Sequence, residues 1–183
     1  IYGIFTNETI DKGTVLVKTP DNLMLKTDHN LKFDSDTPDY IKSQITIIIE
    51  LNKGDKSIFY YGLSLLPKYD DIKNIIYFNN EYLNYLKEIG IINSYSQIKN
   101  IIEHIKNLDN KYNYLKDRKL SQNDIEYAIY IHTNYSWSNG LDLFMQLLNH
   151  KSTAPEQLHN TDLNIYLYRT NSIVHKDEEI FDS

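Results

Sequence analysis

Cysteine is absent from the 183-residue sequence, which excludes structural disulfides and metal sites built on thiolates. An excess of basic residues is also lacking, because the formal net charge is -6 and the pI is about 5.5. A nucleic-acid-binding domain usually carries a basic face, so we expect no nucleic-acid partner. None of the six histidines stands four residues from another, so we expect no metal site of that kind.

Long apolar runs are absent as well. The most apolar stretch, Ile45 to Leu51, contains Glu50 and is far shorter than the roughly 20 residues of a membrane helix. No charged-then-apolar signal peptide opens the sequence, and its first residue is Ile1. We therefore expect a fragment of a longer protein that is monomeric, has no membrane partner and resides inside the cell, in the cytoplasm or nucleus.

The residue pattern changes twice along the chain. Alternating apolar residues and turn residues predict short strands in 1–36 and in 139–183, whereas apolar residues at helical spacing predict about five helices in 37–138. An α/β fold would need a helix after each strand, so this order favours a β domain interrupted by one helical block. We predict a mostly β fold of short strands with a large α-helical insert, which is an α+β architecture.

Local signals place several elements within this order. The turn Asp11-Lys12-Gly13 lies between two strand-like runs, which is the pattern of a β-hairpin. Residues 23–25 are expected to form a short further strand after Pro20. Residues 165–168 and 178–181 are expected to form two strands near the end of the sequence.

Two signals place helices in the central block. Pro38 is suited to the first turn of a helix, and the apolar face that follows comprises Ile41, Ile45, Ile48 and Ile49. Ser121 and Asp124 have the spacing of a capping box, which predicts that a helix begins there. Both signals are local and need no knowledge of the tertiary structure.

Four short segments carry a resemblance to a known family. They are Tyr-Gly-Ile-Phe at 2–5, Ile-Asp-Lys-Gly-Thr-Val-Leu at 10–16, Asn-His at 149–150 and Glu-Glu-Ile-Phe at 178–181. In this order and at these separations they resemble a SET domain of the long-insert class typified by rubisco large-subunit methyltransferase. The resemblance covers the whole chain. It implies S-adenosyl-L-methionine as the cofactor and transfer of its methyl group to a lysine of a protein substrate, with histidine as an alternative acceptor.

The resemblance also implies which residues contact the cofactor, namely Tyr2, Gly3, Ile4, Asn149 and His150. Glycine permits a close approach of the backbone to a ligand, and the asparagine amide can both donate and accept hydrogen bonds. The structural alternative for the Asn-His pair is a helix C-cap followed by a turn.

Aromatic residues are the candidates for the substrate channel. Phe181, with Trp137, would suit the aliphatic stem of a lysine, and the structural alternative for both is core packing. The family's catalytic tyrosine would follow Ser183, so no catalytic residue is assigned within the sequence.

Several positions depart from the family pattern, and they are Ile1, Tyr135, Leu143, Gln146 and Asp177. The departures at Ile1, Tyr135, Gln146 and Asp177 motivate a second hypothesis, a SET-like scaffold without catalysis that acts as a protein-binding module. A third hypothesis is a purely helical interaction domain flanked by hairpins, which predicts no ordered β core.

Overall fold

Six strands and five α-helices are present in the part of the chain that the computed structural model describes. That part comprises residues 4–72, 84–85, 93–135, 140–142, 148–150, 158–160 and 162–182. About 46% of it is helical and about 16% is in strands. The fold is therefore α+β with a large helical block, as expected, but the expected predominance of strands is not found.

Contacts within the chain divide it into two compact units. One unit combines Ile1–Leu25 with Trp137–Ser183 and contains all six strands, and the other is Lys26–Ser136 and contains all five α-helices. The assignment of 1–36 and 139–183 to the two parts of one SET domain, with 37–138 as its insert, stays a prediction.

The strands form two three-stranded sheets. In chain order they are β1 (Ile4–Phe5), β2 (Val15–Pro20), β3 (Asn149–His150), β4 (Leu158–Asn160), β5 (Ile165–Arg169) and β6 (Glu179–Asp182). The first sheet has the order β1-β6-β3, with β1 antiparallel and β3 parallel to β6. The second has the order β2-β5-β4 and is antiparallel throughout. An ordered β core is present, which argues against the purely helical hypothesis.

The predicted turn forms, but the predicted hairpin does not. Thr14 N donates to Asp11 O at 3.2 Å, and Gly13 has a φ of 84°, which glycine adopts without strain. However, β1 pairs with β6 and β2 pairs with β5, so the two strands beside the turn do not pair with each other. The intervening Ile10 instead exchanges backbone hydrogen bonds with Val174, at 2.8 and 3.0 Å. The segment between β1 and β2 thus pairs with a distant C-terminal segment.

The segment after β2 also differs from its prediction. Leu23, the first residue of the strand predicted at 23–25, instead ends the 3-10 helix Asp21–Leu23, after which Met24 N donates to Asp21 O at 3.1 Å. Pro20 has extended backbone and leads directly into this turn. Only Leu25 pairs as in a strand, through an isolated antiparallel bridge to Leu141.

The helical unit contains α1 (Asp39–Lys53), α2 (Tyr60–Ser64), α3 (Tyr69–Ile72), α4 (Asn93–Tyr112) and α5 (Gln122–Tyr135). Helix α1 begins directly after Pro38, as predicted. Its buried isoleucines are Ile41, Ile45, Ile47 and Ile48, whereas Ile49 is only half-buried. The buried stripe is therefore rotated slightly from the predicted one, because α1 packs against both α4 and α5.

The capping box of α5 is confirmed in full. Ser121 N donates to Asp124 Oδ2 at 2.8 Å, and Asp124 N lies 3.1 Å from Ser121 Oγ, which accepts its hydrogen. The bonds satisfy backbone donors that have no partner within the helix. Upstream, the buried carboxylate of Asp109 accepts the backbone N–H groups of Tyr114 and Leu120 at 3.0 and 3.1 Å, which fixes the α4–α5 connection.

Candidate functional site

Four of the predicted site residues meet in the sheet β1-β6-β3. Ile4 pairs with Ile180, and Asn149 pairs with Phe181 on the opposite side of the central strand. His150 follows, opposite Asp182. Tyr2 and Gly3 lie outside the described residues. The sheet therefore brings together residues that are about 145 positions apart in sequence and that the resemblance assigned to the cofactor and to the substrate channel.

The Asn-His pair is a strand rather than a helix cap. Asn149 and His150 form β3, which runs parallel to β6. Adjacent strands lie about 4.8 Å apart, so the backbone of Asn149 stands directly beside that of Phe181. This arrangement differs from the alternative of a C-cap and turn, and it fixes the position of the asparagine relative to the aromatic residue.

A single apolar cluster supports all three strands of this sheet. Buried Tyr168, with 2% of its surface exposed, packs with Leu148, which directly precedes Asn149. Ile4 of β1 and Ile180 of β6 pack against the same cluster. Replacing any member would therefore disturb both strand pairs of the site, because closely packed interiors transmit changes in volume.

Tyr168 also holds β6 through a hydrogen bond. Its hydroxyl group donates to the backbone carbonyl oxygen of Phe181, so a residue of β5 in the second sheet positions the candidate channel residue. The side chain of Phe181 is half-buried, which is compatible with one wall of a channel. This role of Tyr168 was not predicted from the sequence. The available signal was the run Ile-Tyr-Leu-Tyr at 165–168, because uninterrupted apolar residues indicate burial on both faces of a strand.

The turn before β6 is built around Asp177, the residue that replaces the glycine of the family pattern. Asp177 has a φ of 66°, in the left-handed region that favours glycine. Glu178 N donates to His175 O at 3.0 Å, and His175 N donates back to Glu178 Oε2 at 2.7 Å. Aspartate tolerates the left-handed region better than most residues, so the substitution preserves the turn.

Thr6 connects this turn to the first strand. Its backbone N donates to Glu178 O at 3.0 Å, and its carbonyl oxygen accepts from Asp177 N at 3.0 Å. Its hydroxyl group donates to His175 O at 2.9 Å. The three bonds extend the pairing of β1 with β6 and hold the segment that begins with Ile4 against the Glu-Glu-Ile-Phe segment.

The remaining predicted positions lie elsewhere or outside the described residues. Tyr135, which replaces an arginine of the family pattern, is the last residue of α5 in the helical unit. Burial, followed by a hydrogen bond with Tyr130, raises the pKa of its hydroxyl group, and the two rings contact each other edge to face at 5.9 Å. Ile1, Trp137, Leu143 and Gln146 lie outside the described residues.

Neither a metal cluster nor a membrane helix is found where the structure is described. Within those ranges, no three His, Cys, Asp or Glu side chains are grouped so that they could hold a metal ion. In the same ranges no helix has the length and apolar character to span a bilayer. The described part of the candidate site thus consists of the paired backbones of β1, β6 and β3, the side chain of Phe181 and the apolar cluster that supports them.

Comparison with known proteins identifies the fold. No protein-family model matches the sequence, and no curated protein matches it. Three solved structures are similar over 99% of this chain, at 15–16% sequence identity and TM-scores of 0.75–0.77. They are the SET domain of LSMT bound to lysine and AdoHcy, Rubisco LSMT bound to sinefungin and monomethyllysine, and Rubisco LSMT bound to AdoMet.

The similarity shows that the chain adopts a SET-domain fold of the LSMT type. The chain spans less than half of these proteins, since it covers 45–46% of their length.

Proposed function

We propose that this chain binds S-adenosyl-L-methionine and belongs to a protein-lysine methyltransferase. The observation that carries the proposal is the shared SET fold over 99% of the chain, with Asn149 and Phe181 as neighbours in one sheet. The similar Rubisco LSMT structures contain AdoMet, AdoHcy or sinefungin, and two of them contain lysine or monomethyllysine. These ligands belong to those proteins, and they motivate the cofactor and acceptor proposed here.

The residue types at the site fit the amino-acid end of such a cofactor. An ammonium and a carboxylate together need both acceptors and donors, and the amide of Asn149 can supply one of each. The backbone groups at an edge of a sheet offer further donors and acceptors. β3 is an outer strand in the order β1-β6-β3. We propose that Asn149, His150 and Ile4 hold the cofactor, together with Tyr2 and Gly3.

The chemistry needs mainly alignment and exclusion of water. When bound, the sulfonium cofactor supplies an activated methyl group for direct displacement by a nitrogen lone pair. Phe181 would line the path of the lysine stem and exclude water, which favours the neutral, nucleophilic amine through desolvation. Tyr168 would keep Phe181 in place through the hydroxyl–carbonyl bond. Positioning of this kind accounts for much of the acceleration in reactions between two bound groups.

Lysine is the proposed acceptor in preference to histidine. The similar structures hold lysine and monomethyllysine, and none of the three is described with histidine. The unbranched stem of lysine also suits a narrow aromatic-walled channel, in which four methylene groups are buried and only the end is polar.

The test is isothermal titration of S-adenosylhomocysteine into the 183-residue chain and two variants. We expect a Kd in the micromolar range for the wild type and at least tenfold weaker binding for Asn149→Ala, because two hydrogen bonds to charged groups are lost. Asn22→Ala is the matched control, since Asn22 is an exposed asparagine of the same unit outside the proposed site. Circular dichroism confirms that each variant is folded.

Two results would contradict the proposal. Folded wild-type protein that releases no heat with S-adenosylhomocysteine or S-adenosylmethionine would favour the non-catalytic scaffold. Equal losses in Asn149→Ala and Asn22→Ala would show that Asn149 has no particular role in the cofactor site.

A further inference from the structure

One face of the sheet β1-β6-β3 points away from the apolar cluster that supports the sheet. Ile4 and Ile180 are paired across the two strands, and both pack against that cluster. Successive side chains of a strand point to opposite faces, so the next pair, Phe5 and Glu179, lies on the other face, together with Phe181. The described part of this outer face therefore carries one acidic residue with two phenylalanine neighbours.

The aromatic rings on this face are accessible to a partner. Phe5 is 56% exposed, and Glu179 and Phe181 are half-buried. The solvent-facing side of a sheet normally carries polar residues, because the apolar ones are directed into the core. Exposed apolar side chains next to charged ones are instead typical of an interaction surface. This face is therefore suited to a partner that covers aromatic rings.

The charge of this region selects a basic partner. Four of the seven residues at 177–183 are acidic and none is basic, and the whole chain has a net charge of -6. Such a field attracts a positively charged peptide and repels an acidic one. An aromatic ring also attracts a cation that lies over its face. A cation placed beside Glu179 and Phe5 is therefore stabilised by both the carboxylate and the ring.

Arginine fits this combination of groups better than lysine does. Its guanidinium group is planar and weakly hydrated, stacks on aromatic rings and pairs with a carboxylate through two parallel hydrogen bonds. The ammonium group of lysine is a compact and strongly hydrated charge, so it loses more hydration when it packs on a ring. The lysine of the substrate is also already assigned to the path lined by Phe181.

The spacing of residues in β6 sets the separation of the two substrate residues. Glu179 lies two residues before Phe181 on the same face, which is about 7 Å along the strand. An extended peptide covers this distance in two residues, and side chains two residues apart point the same way. We propose that the substrate segment carries an arginine two residues from the target lysine, whose guanidinium group packs on Phe5 and pairs with Glu179. This substrate class rests on the proposed function, from which the position of the lysine is taken.

The test is a titration of short peptides into the ¹⁵N-labelled 183-residue chain, followed through its amide chemical shifts. The probes are acetylated and amidated peptides of glycine and serine that contain one lysine and one arginine two residues away, in either order. In the matched peptides citrulline replaces arginine, which keeps the shape and removes the charge. We expect the better arginine peptide to shift amides of β1 and β6 and to bind roughly tenfold more tightly than its citrulline counterpart. A peptide with the arginine directly beside the lysine should lose most of this advantage, because adjacent side chains point to opposite sides.

Two variants with matched controls separate the contributions to binding. Glu179→Gln keeps the shape of the side chain but removes its charge, so most of the preference for arginine over citrulline should vanish. Glu8→Gln is its control, since Glu8 is an exposed acidic residue of the same unit outside the strands of this sheet. Phe5→Ala should weaken the arginine peptide roughly threefold through loss of the ring. Ile173→Ala is its control, because Ile173 is an apolar residue of the same unit with a similar exposure of 52%.

Several outcomes would overturn this substrate class. They are an absence of shifts in β1 and β6 at millimolar peptide, equal binding of the arginine and citrulline peptides, and an arginine preference that persists in folded Glu179→Gln. If that variant proves unfolded, the comparison of arginine, citrulline and adjacent-arginine peptides on the wild type still decides. Titration of S-adenosylhomocysteine into the same samples tests the proposed function separately. Cofactor binding without an arginine preference would overturn the substrate class alone, whereas an arginine preference without cofactor binding would support the docking face and contradict the methyltransferase.

Discussion

The hydroxyl group of Tyr168 donates a hydrogen bond to the backbone carbonyl of Phe181. The two residues belong to different sheets, since Tyr168 lies in β5 and Phe181 in the central strand β6 of the candidate site. One phenol group therefore connects the antiparallel sheet to the strand that pairs with Ile4 on one side and Asn149 on the other. Four predictions about the stability of this protein can be made from such individual contacts.

Tyr168→Phe is expected to lower the free energy of unfolding by about 1–2 kcal/mol, because the hydrogen bond from the Tyr168 hydroxyl group to the part-buried carbonyl of Phe181 is lost. Urea denaturation monitored by circular dichroism measures the change. Tyr61→Phe is the control, since Tyr61 is 83% exposed and its hydroxyl group can be replaced at no comparable cost. Equal unfolding midpoints for the two variants would contradict the assigned role of Tyr168.

Asp177→Gly is expected to raise the free energy of unfolding by about 0.5–1 kcal/mol, because glycine adopts a φ of 66° without steric strain. Asp177→Val should lower it by more than about 1 kcal/mol, since a β-branched residue is strongly disfavoured there. Lys176→Val serves as the control, being an exposed residue of the same turn. The measurement is chemical denaturation, and a destabilised glycine variant would contradict the backbone assignment.

Ser121→Ala should destabilise the protein by about 1 kcal/mol through loss of the α5 cap. The carboxylate of Asp124 adds a dependence on pH. Burial raises its pKa, but hydrogen bonds from Arg118 and Ser121 outweigh burial and leave the pKa below the ordinary value. A depressed folded pKa means that the stabilisation is complete above the unfolded value of about 3.9 and is lost as the pH falls through the folded value.

This pH dependence is tested by measuring unfolding of the wild type and Asp124→Asn between neutral pH and about pH 2. The wild type should be the more stable above about pH 4, and the difference should shrink on further acidification. A difference that stays constant across this range would show that the charge of Asp124 contributes nothing.

Thr37→Val is expected to stabilise the protein by about 1 kcal/mol. Thr37 is 3% exposed, and its hydroxyl oxygen has no hydrogen-bond partner in the described structure. Valine has almost the same shape and removes the unpaired polar group. Thr133→Val, at an exposed position of α5, should change stability by much less. Thermal unfolding measures both, and a lower melting temperature for Thr37→Val would contradict the prediction.

Local sequence signals predicted helix starts and turns better than they predicted which strands pair with each other. The capping box at Ser121 and the helix start after Pro38 depend on a few adjacent residues, and both are present in the structure. The turn at Gly13 was also predicted, but its hairpin was wrong, because β1 instead pairs with a strand about 175 residues away. A turn motif determines the backbone conformation of a few adjacent residues, but it does not determine which strands pair with each other.

The strands of the candidate site were harder to predict from sequence patterns than the helices were. Strands β1 and β3 contain two residues each, which is too short for any alternation to reveal a buried face. Their grouping came from the resemblance, and the register of Asn149 opposite Phe181 came only from the structure. Gln44 illustrates the same limit, because a polar residue between isoleucines does not indicate from sequence whether its amide finds a partner.

The central position of β6 has a consequence for synthesis on the ribosome. Residues 26–136 form their own compact unit and can begin to fold while translation continues, because the contacts that define this unit lie within that span. In contrast, Ile4 can meet Ile180 only after the residues between them, which include the whole helical unit, have been made. The sheet that brings Asn149 beside Phe181 can thus assemble only after the helical unit has been synthesised, and its high contact order predicts that it forms slowly.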